Sequence, residues 1–205
     1  MNKKNKILLL VVIAIVAVAA IIYFVIDRKE QAIFDSQNAV ETVMRDDLGF
    51  EFGYTAGPDA LSMVEPPVTG QPMEAAFIIM PSSEYVAFAN GEDQDVGPTI
   101  SLFVFRYSDN EMASTTEVLS KDEKLMTWAQ ENQTLTSINN ATSDVVDYEL
   151  DGLKGISYTA EAEYKQNIKL FRLGDRNYMF VGQYRDKGDQ MDKYFEEVLS
   201  TVRFN

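Results

Sequence analysis

Val146-Asp147-Tyr148-Glu149-Leu150-Asp151-Gly152-Leu153-Lys154-Gly155-Ile156-Ser157-Tyr158-Thr159-Ala160 is the stretch that decides the fold. Val146, Tyr148 and Leu150 alternate with polar residues up to Asp151-Gly152, and Ile156, Tyr158 and Ala160 alternate after it. An Asp-Gly pair between two alternating runs predicts a hairpin, because a type I′ turn needs positive φ at both central positions. A second hairpin is predicted immediately downstream, with Asn167 to Leu173 returning through Gly174-Asp175-Arg176 into Asn177 to Tyr184. The period then changes. Met191, Tyr194, Phe195, Val198, Leu199 and Val202 recur at helical spacing, with Asp189 placed to cap the helix.

Working upstream, Ala75 to Met80 and Ile100 to Phe105 are apolar on odd and even positions alike, which predicts central strands covered on two faces. Gly49 to Tyr54 alternates as a half-buried strand would, and Leu61 to Glu65 predicts a short strand stopped by Pro66-Pro67. Glu84 to Ala89 suits a short helix, and Asn90 to Pro98 a loop. Ser120-Lys121-Asp122-Glu123 has the spacing of a capping box. It opens a helix that carries Leu125, Trp128 and Ala129 on one face and ends near Asn132. The aromatic residues of the C-terminal strands (Tyr148, Tyr158, Phe171, Tyr178, Phe180, Tyr184) are expected to pack in the core or on the sheet. The elements define an α+β domain over residues 49–205, an antiparallel sheet flanked by helices.

Residues 7–26 form an apolar run with no charged or amide side chain, and Lys3, Lys4 and Lys6 precede it. At about 1.5 Å per residue its length matches a bilayer core of roughly 30 Å, so it is expected to be a transmembrane helix. Asp27-Arg28-Lys29-Glu30 beyond it is charge-balanced. The positive-inside bias therefore makes residues 1–6 a cytoplasmic basic tail and sends the remainder outside, in a single pass. Residues 27–48 read as a stalk or first helix. A rival reading is a cleaved signal peptide ending at Ala17-Val18-Ala19, although the apolar run continues past that site through Ile26. Both readings export the same domain, and the lack of cysteine excludes a lipoprotein.

The 205 residues include 18 basic and 32 acidic ones, a net charge of −14. Such a surface repels nucleic acid and anionic headgroups, so no nucleic-acid partner is expected. Zero cysteines and zero histidines exclude disulfides, thiol catalysis, Ser-His-Asp triads and histidine-based metal centres. Loop 90–97 gathers Glu92, Asp93 and Asp95 and has the ligand type for Ca²⁺, without the EF-hand order; a solvated loop is the plainer reading. Serine catalysis would need a lysine partner; no S-x-x-K occurs, and Gly155-Ile156-Ser157-Tyr158-Thr159 echoes G-x-S-x-G only inside a strand. Asn132-Gln133-Thr134 and Asn140-Ala141-Thr142 are glycosylation triplets, meaningful only in a host that uses them. No catalytic, cofactor-binding or metal-ligating residue is nominated, and no cofactor is expected.

Gly49-Phe50-Glu51-Phe52-Gly53-Tyr54, the closing strand Tyr178 to Tyr184, and Tyr194 to Phe204 together resemble the PsbP-like family over about residues 49–204. The resemblance implies an exported or membrane-anchored α+β domain, an antiparallel sheet with helices on both faces. Its named members are extrinsic subunits of a photosynthetic complex. After Tyr54 the chain departs from the family pattern, with Thr55-Ala56-Gly57-Pro58, and it lacks the histidines to which metal binding is ascribed in some members.

The function expected is that of a non-enzymatic, membrane-anchored extracytoplasmic domain acting as a binding or assembly module of the cell envelope. Its partners would be the lipid bilayer, through the N-terminal helix, and an envelope protein or ligand. The alternative is a carboxylate-only hydrolase acting on envelope glycans, which would need two converging acids in a pocket. A calcium-dependent adhesion module is a third, weaker possibility.

Overall fold

The two C-terminal hairpins form as their turns require. Val146–Leu150 (β6) and Leu153–Glu161 (β7) close through Asp151 and Gly152, whose φ values of 50° and 76° are the pair a type I′ turn needs. Lys165–Leu173 (β8) and Arg176–Tyr184 (β9) close through Gly174-Asp175, with Gly174 at φ 60°. In a computed structural model the described residues are 38–69, 72–90, 97–106 and 121–205. The expected transmembrane segment 7–26 and the capping residue Ser120 lie outside them, as does almost all of the acidic loop. Among the described residues no helix is long and apolar enough to cross a membrane.

The other strands are Ala39–Arg45 (β1), Phe50–Ala56 (β2), Leu61–Val64 (β3), Met73–Pro81 (β4), Ile100–Arg106 (β5) and Arg203–Phe204 (β10). The sheet runs β1-β2-β3-β4-β5-β9-β8-β7-β6, with β10 paired to β2. It is mixed, which corrects the expectation of a wholly antiparallel sheet: β2 and β3 run parallel. A parallel neighbour ordinarily needs a crossover of a dozen residues or more. Here the strands overlap only at Ala56 and Leu61, so the loop 57–60 steps the chain sideways by one strand without reversing it. Hydrogen bonds from Gly57 N to Leu61 O (3.3 Å) and Ala60 N to Gly57 O (3.2 Å) hold that step.

The helices are Ser82–Asn90 (α1), Lys121–Glu131 (α2), Gln133–Thr136 (α3) and Gln190–Thr201 (α4). Residues 39–45, within the segment expected as a stalk or first helix, are a strand. Val40, Thr42 and Val43 are β-branched, and Glu41 accepts a 2.7 Å bond from the Tyr54 hydroxyl on the neighbouring strand. The C-terminus is also more regular than its periodicity implies. Helix α4 stops at Thr201, Val202 is extended at ψ 134°, and Arg203-Phe204 pairs antiparallel with Phe50-Glu51 of β2.

Each face of the sheet carries one core. On one face, Met191, Tyr194, Phe195, Val198 and Leu199 of α4 cover Phe52, Phe77, Leu102 and Phe180. On the other, Leu125, Trp128 and Ala129 of α2 cover Phe105, Ile156, Tyr158 and Met179, with the Phe105 and Trp128 rings 5.2 Å apart. This two-sided cover explains why β4 and β5 carry no polar alternation.

Candidate functional site

A cleft of about 460 Å³ opens where β4, β9 and β7 end and β5 and β8 begin. Its apolar wall is Val64, Pro66, Ile78 and Met80; its polar wall is Thr99, Ser101, Gln166 and Gln183, with Tyr164 and Glu163 from the β7–β8 turn. Strand register builds the polar wall: Ser101 lies opposite Ile78 and Val181, and Gln166 opposite Gln183. These side chains share the α2 face, beyond the cover that α2 gives.

Gln183 is held firmly. Its Oε1 accepts from the Thr99 backbone amide and hydroxyl, both at 3.2 Å, while the backbone amide of Gln183 donates to Thr99 O at 2.9 Å. Helix α1 braces the rim through the Glu84 carboxylate, which accepts from Gly97 N at 3.0 Å. A Cβ on Gly97 would lie 2.6 Å from Glu84 Oε1, so a side chain there would push the carboxylate out of its bond to Gly97 N.

Gln166 is different. It is 9% exposed, and its Oε1 is buried without a hydrogen-bond partner among the described residues. An unmet buried acceptor costs about 1–3 kcal/mol, so the position stores an interaction that the folded chain does not itself make.

A second constellation lies on the α4 face. Ser157 and Lys169 are ladder partners on β7 and β8, and Lys169 Nζ donates to Ser157 Oγ at 2.7 Å. The lysine partner absent from the local sequence is thus supplied across the strands. Lys169 Nζ also sits 4.2 Å from the centroid of the Tyr148 ring. Burial lowers the Lys169 pKa, and the charges of Glu196 and Asp192 oppose that shift. A lysine with a lowered pKa beside a hydroxyl is the arrangement found in nucleophile-activating pairs. The surroundings disfavour that use. Ser157 is 7% exposed and lies mid-strand between β6 and β8, so its backbone groups belong to the ladder and frame no oxyanion hole.

Several described acids hold structural posts. Asp189 caps α4, accepting from Asp192 N at 2.9 Å, and Asp151 accepts from Phe204 N at 2.8 Å. Glu74 bridges Arg106 and Arg176, each at 2.7 Å from guanidinium Nε to carboxylate. Asp47 is held below the usual range by Arg45. Among the described residues no group of three or more acids could hold a metal ion. Trp128, Tyr158, Phe171, Tyr178, Phe180 and Tyr184 are buried, as their strand and helix positions predict. Tyr148 is half-buried beneath Lys169.

No protein-family model matches the chain, and no curated protein matches it. Among solved structures it is similar to the solution structure of cyanobacterial PsbP (CyanoP) from Synechocystis sp. PCC 6803. The TM-score is 0.49 and the identity 10%, over 82% of this chain and 93% of that one. It is also similar to a crystal structure from Bacteroides thetaiotaomicron VPI-5482, with TM-score 0.40 and 12% identity, over 80% of this chain and 48% of that one. At these identities activity, ligands and partners do not carry over.

Proposed function

We propose that this chain is a membrane-anchored extracytoplasmic domain that works without catalysis, as a binding or assembly module of the cell envelope. The observation that carries the binding role is the cleft, whose polar wall consists mainly of amides and hydroxyls and contains an acceptor, Gln166 Oε1, with no partner among the described residues. Pockets of this kind, apolar with a few convergent polar groups, are where small ligands bind. Among the described residues the carboxylates whose titration is displaced, Asp47 and Asp189, are both shifted downward, whereas a general acid working near neutral pH would need an upward shift. The anchor rests on the length of the apolar run 7–26 and on the lysines before it.

Crosslinking of the anchored protein in its native membrane, followed by pull-down, tests the module. A reproducible envelope partner is expected, and recovery of the chain alone would count against it. Tags at Met1 and Asn205 test the topology: protease added to intact spheroplasts should remove the C-terminal tag and spare the N-terminal one.

A further inference from the structure

We infer that the cleft is a recognition site for a neutral sugar ring, with Gln166 as its central hydrogen-bonding group; this rests on the binding role proposed above. The Gln166 amide offers an acceptor and a donor on one planar group, and among the described residues the acceptor, Oε1, has no partner. A ligand hydroxyl donates and accepts at once and so satisfies both. The neighbouring amide of Gln183 is already anchored by Thr99, which keeps the polar wall in place before a ligand arrives.

Shape and charge narrow the class. The cleft has a polar side and an apolar side, the latter made by Val64, Ile78 and Met80. A sugar ring has the same division, a rim of hydroxyls around faces of C–H groups. Among the described lining residues there is one carboxylate, Glu163, and no lysine or arginine. On a chain of net charge −14 this disfavours acidic sugars and phosphates. The volume of about 460 Å³ lies within the roughly 300–1,000 Å³ typical of small-molecule sites.

The test uses the full chain, labelled at Met and Ile methyl groups and held in a zwitterionic detergent without a sugar headgroup. N-acetylglucosamine, glucuronic acid and a neutral tripeptide are titrated separately. The expected result is saturable shifts of the Met80 and Ile78 methyl signals with N-acetylglucosamine and none with glucuronic acid. Gln166→Leu should weaken that binding about tenfold, the loss of one hydrogen bond, while thermal unfolding stays unchanged or rises because the unmet amide is gone. Gln166→Glu serves as the second variant and should also weaken binding. Equal binding by wild type and both variants would overturn the role of Gln166. Shifts with the tripeptide alone would overturn the sugar assignment and leave the binding reading intact. Silence from all three probes overturns the sugar site, and the module then stands or falls on the crosslinking result.

Discussion

Gly182 is the seat of Phe195. A Cβ built on Gly182 would lie 2.3 Å from Cγ of the Phe195 ring and 2.5 Å from its Cδ1, so the ring rests directly on the β9 backbone. This contact fixes how closely α4 approaches the sheet. Phe195 is fully buried, with Phe52, Phe77 and Phe180 in the same cluster.

Phe195→Ala should therefore cost about 3–5 kcal/mol, because the void is walled by strands and a helix that cannot collapse into it. Gly182→Ala should destabilise the domain by about 1–3 kcal/mol through overpacking. Chemical denaturation read by the Trp128 signal checks both. The pair should couple in a double-mutant cycle, since removing the ring removes what the new methyl group strikes. Additive costs would mean that α4 does not ride on Gly182.

The Asp151-Gly152 turn gives a second expected outcome. Gly152 sits at φ +76°, with nothing within 4 Å of a built Cβ, so substitution there meets conformational strain and no clash. Gly152→Ala should cost about 1–2 kcal/mol, the usual penalty for a left-handed residue with a side chain. Gly152→Asn should cost less, since asparagine tolerates that region. Equal stability of the two variants would argue that the turn changes type.

Much of the fold was legible because its signals are local. The two hairpins are short, and α4 shows both its cap and its apolar stripe in consecutive residues. Strand β1 was not legible, since Val40 and Met44 face solvent and only its pairing with β2 makes it extended. The parallel step from β2 to β3 has no composition signal beyond Gly57-Pro58. The cleft could not be read from spacing at all: Thr99 and Gln183 are 84 residues apart and are joined by the β5–β9 register. Ser157 and Lys169 escaped for the same reason, since a motif search looks along the chain while the ladder pairs residues across it.

Asp189 offers a test in acid. Burial acts to raise its pKa, but bonds from the backbone amides of Asp192, Arg185 and Asp186 outweigh it and leave the carboxyl below the ordinary value of 3.8. A depressed folded pKa means that the cap's stabilisation is present above the unfolded value and is lost as pH falls through the folded one. Asp189→Ala should cost about 1 kcal/mol at neutral pH. The difference in melting temperature between wild type and variant should shrink as pH drops below 3.8. A gap that stays constant into strong acid would mean that the ionised cap contributes nothing.

Lys169 predicts a slope of the same sign at the alkaline end, where stability again rises with pH. Burial among Tyr148, Ser157 and the neighbouring strands pushes its pKa below the ordinary lysine value of 10.5, and Glu196 and Asp192 only partly offset this. Between the folded and unfolded values the unfolded chain binds more protons, so the contribution of Lys169 to stability improves as pH rises through that window. Lys169→Met keeps the length of the side chain and removes the charge. At neutral pH the variant should match the wild type or exceed it by about 1 kcal/mol, since exchanging a buried charge for an apolar group is often neutral or favourable. As pH climbs toward 10.5 the wild type should recover and the gap should close. Thermal melts of the two proteins across that range decide it. A gap that does not change with pH would mean that Lys169 keeps its ordinary titration and that its 2.7 Å bond to Ser157 has no bearing on its protonation.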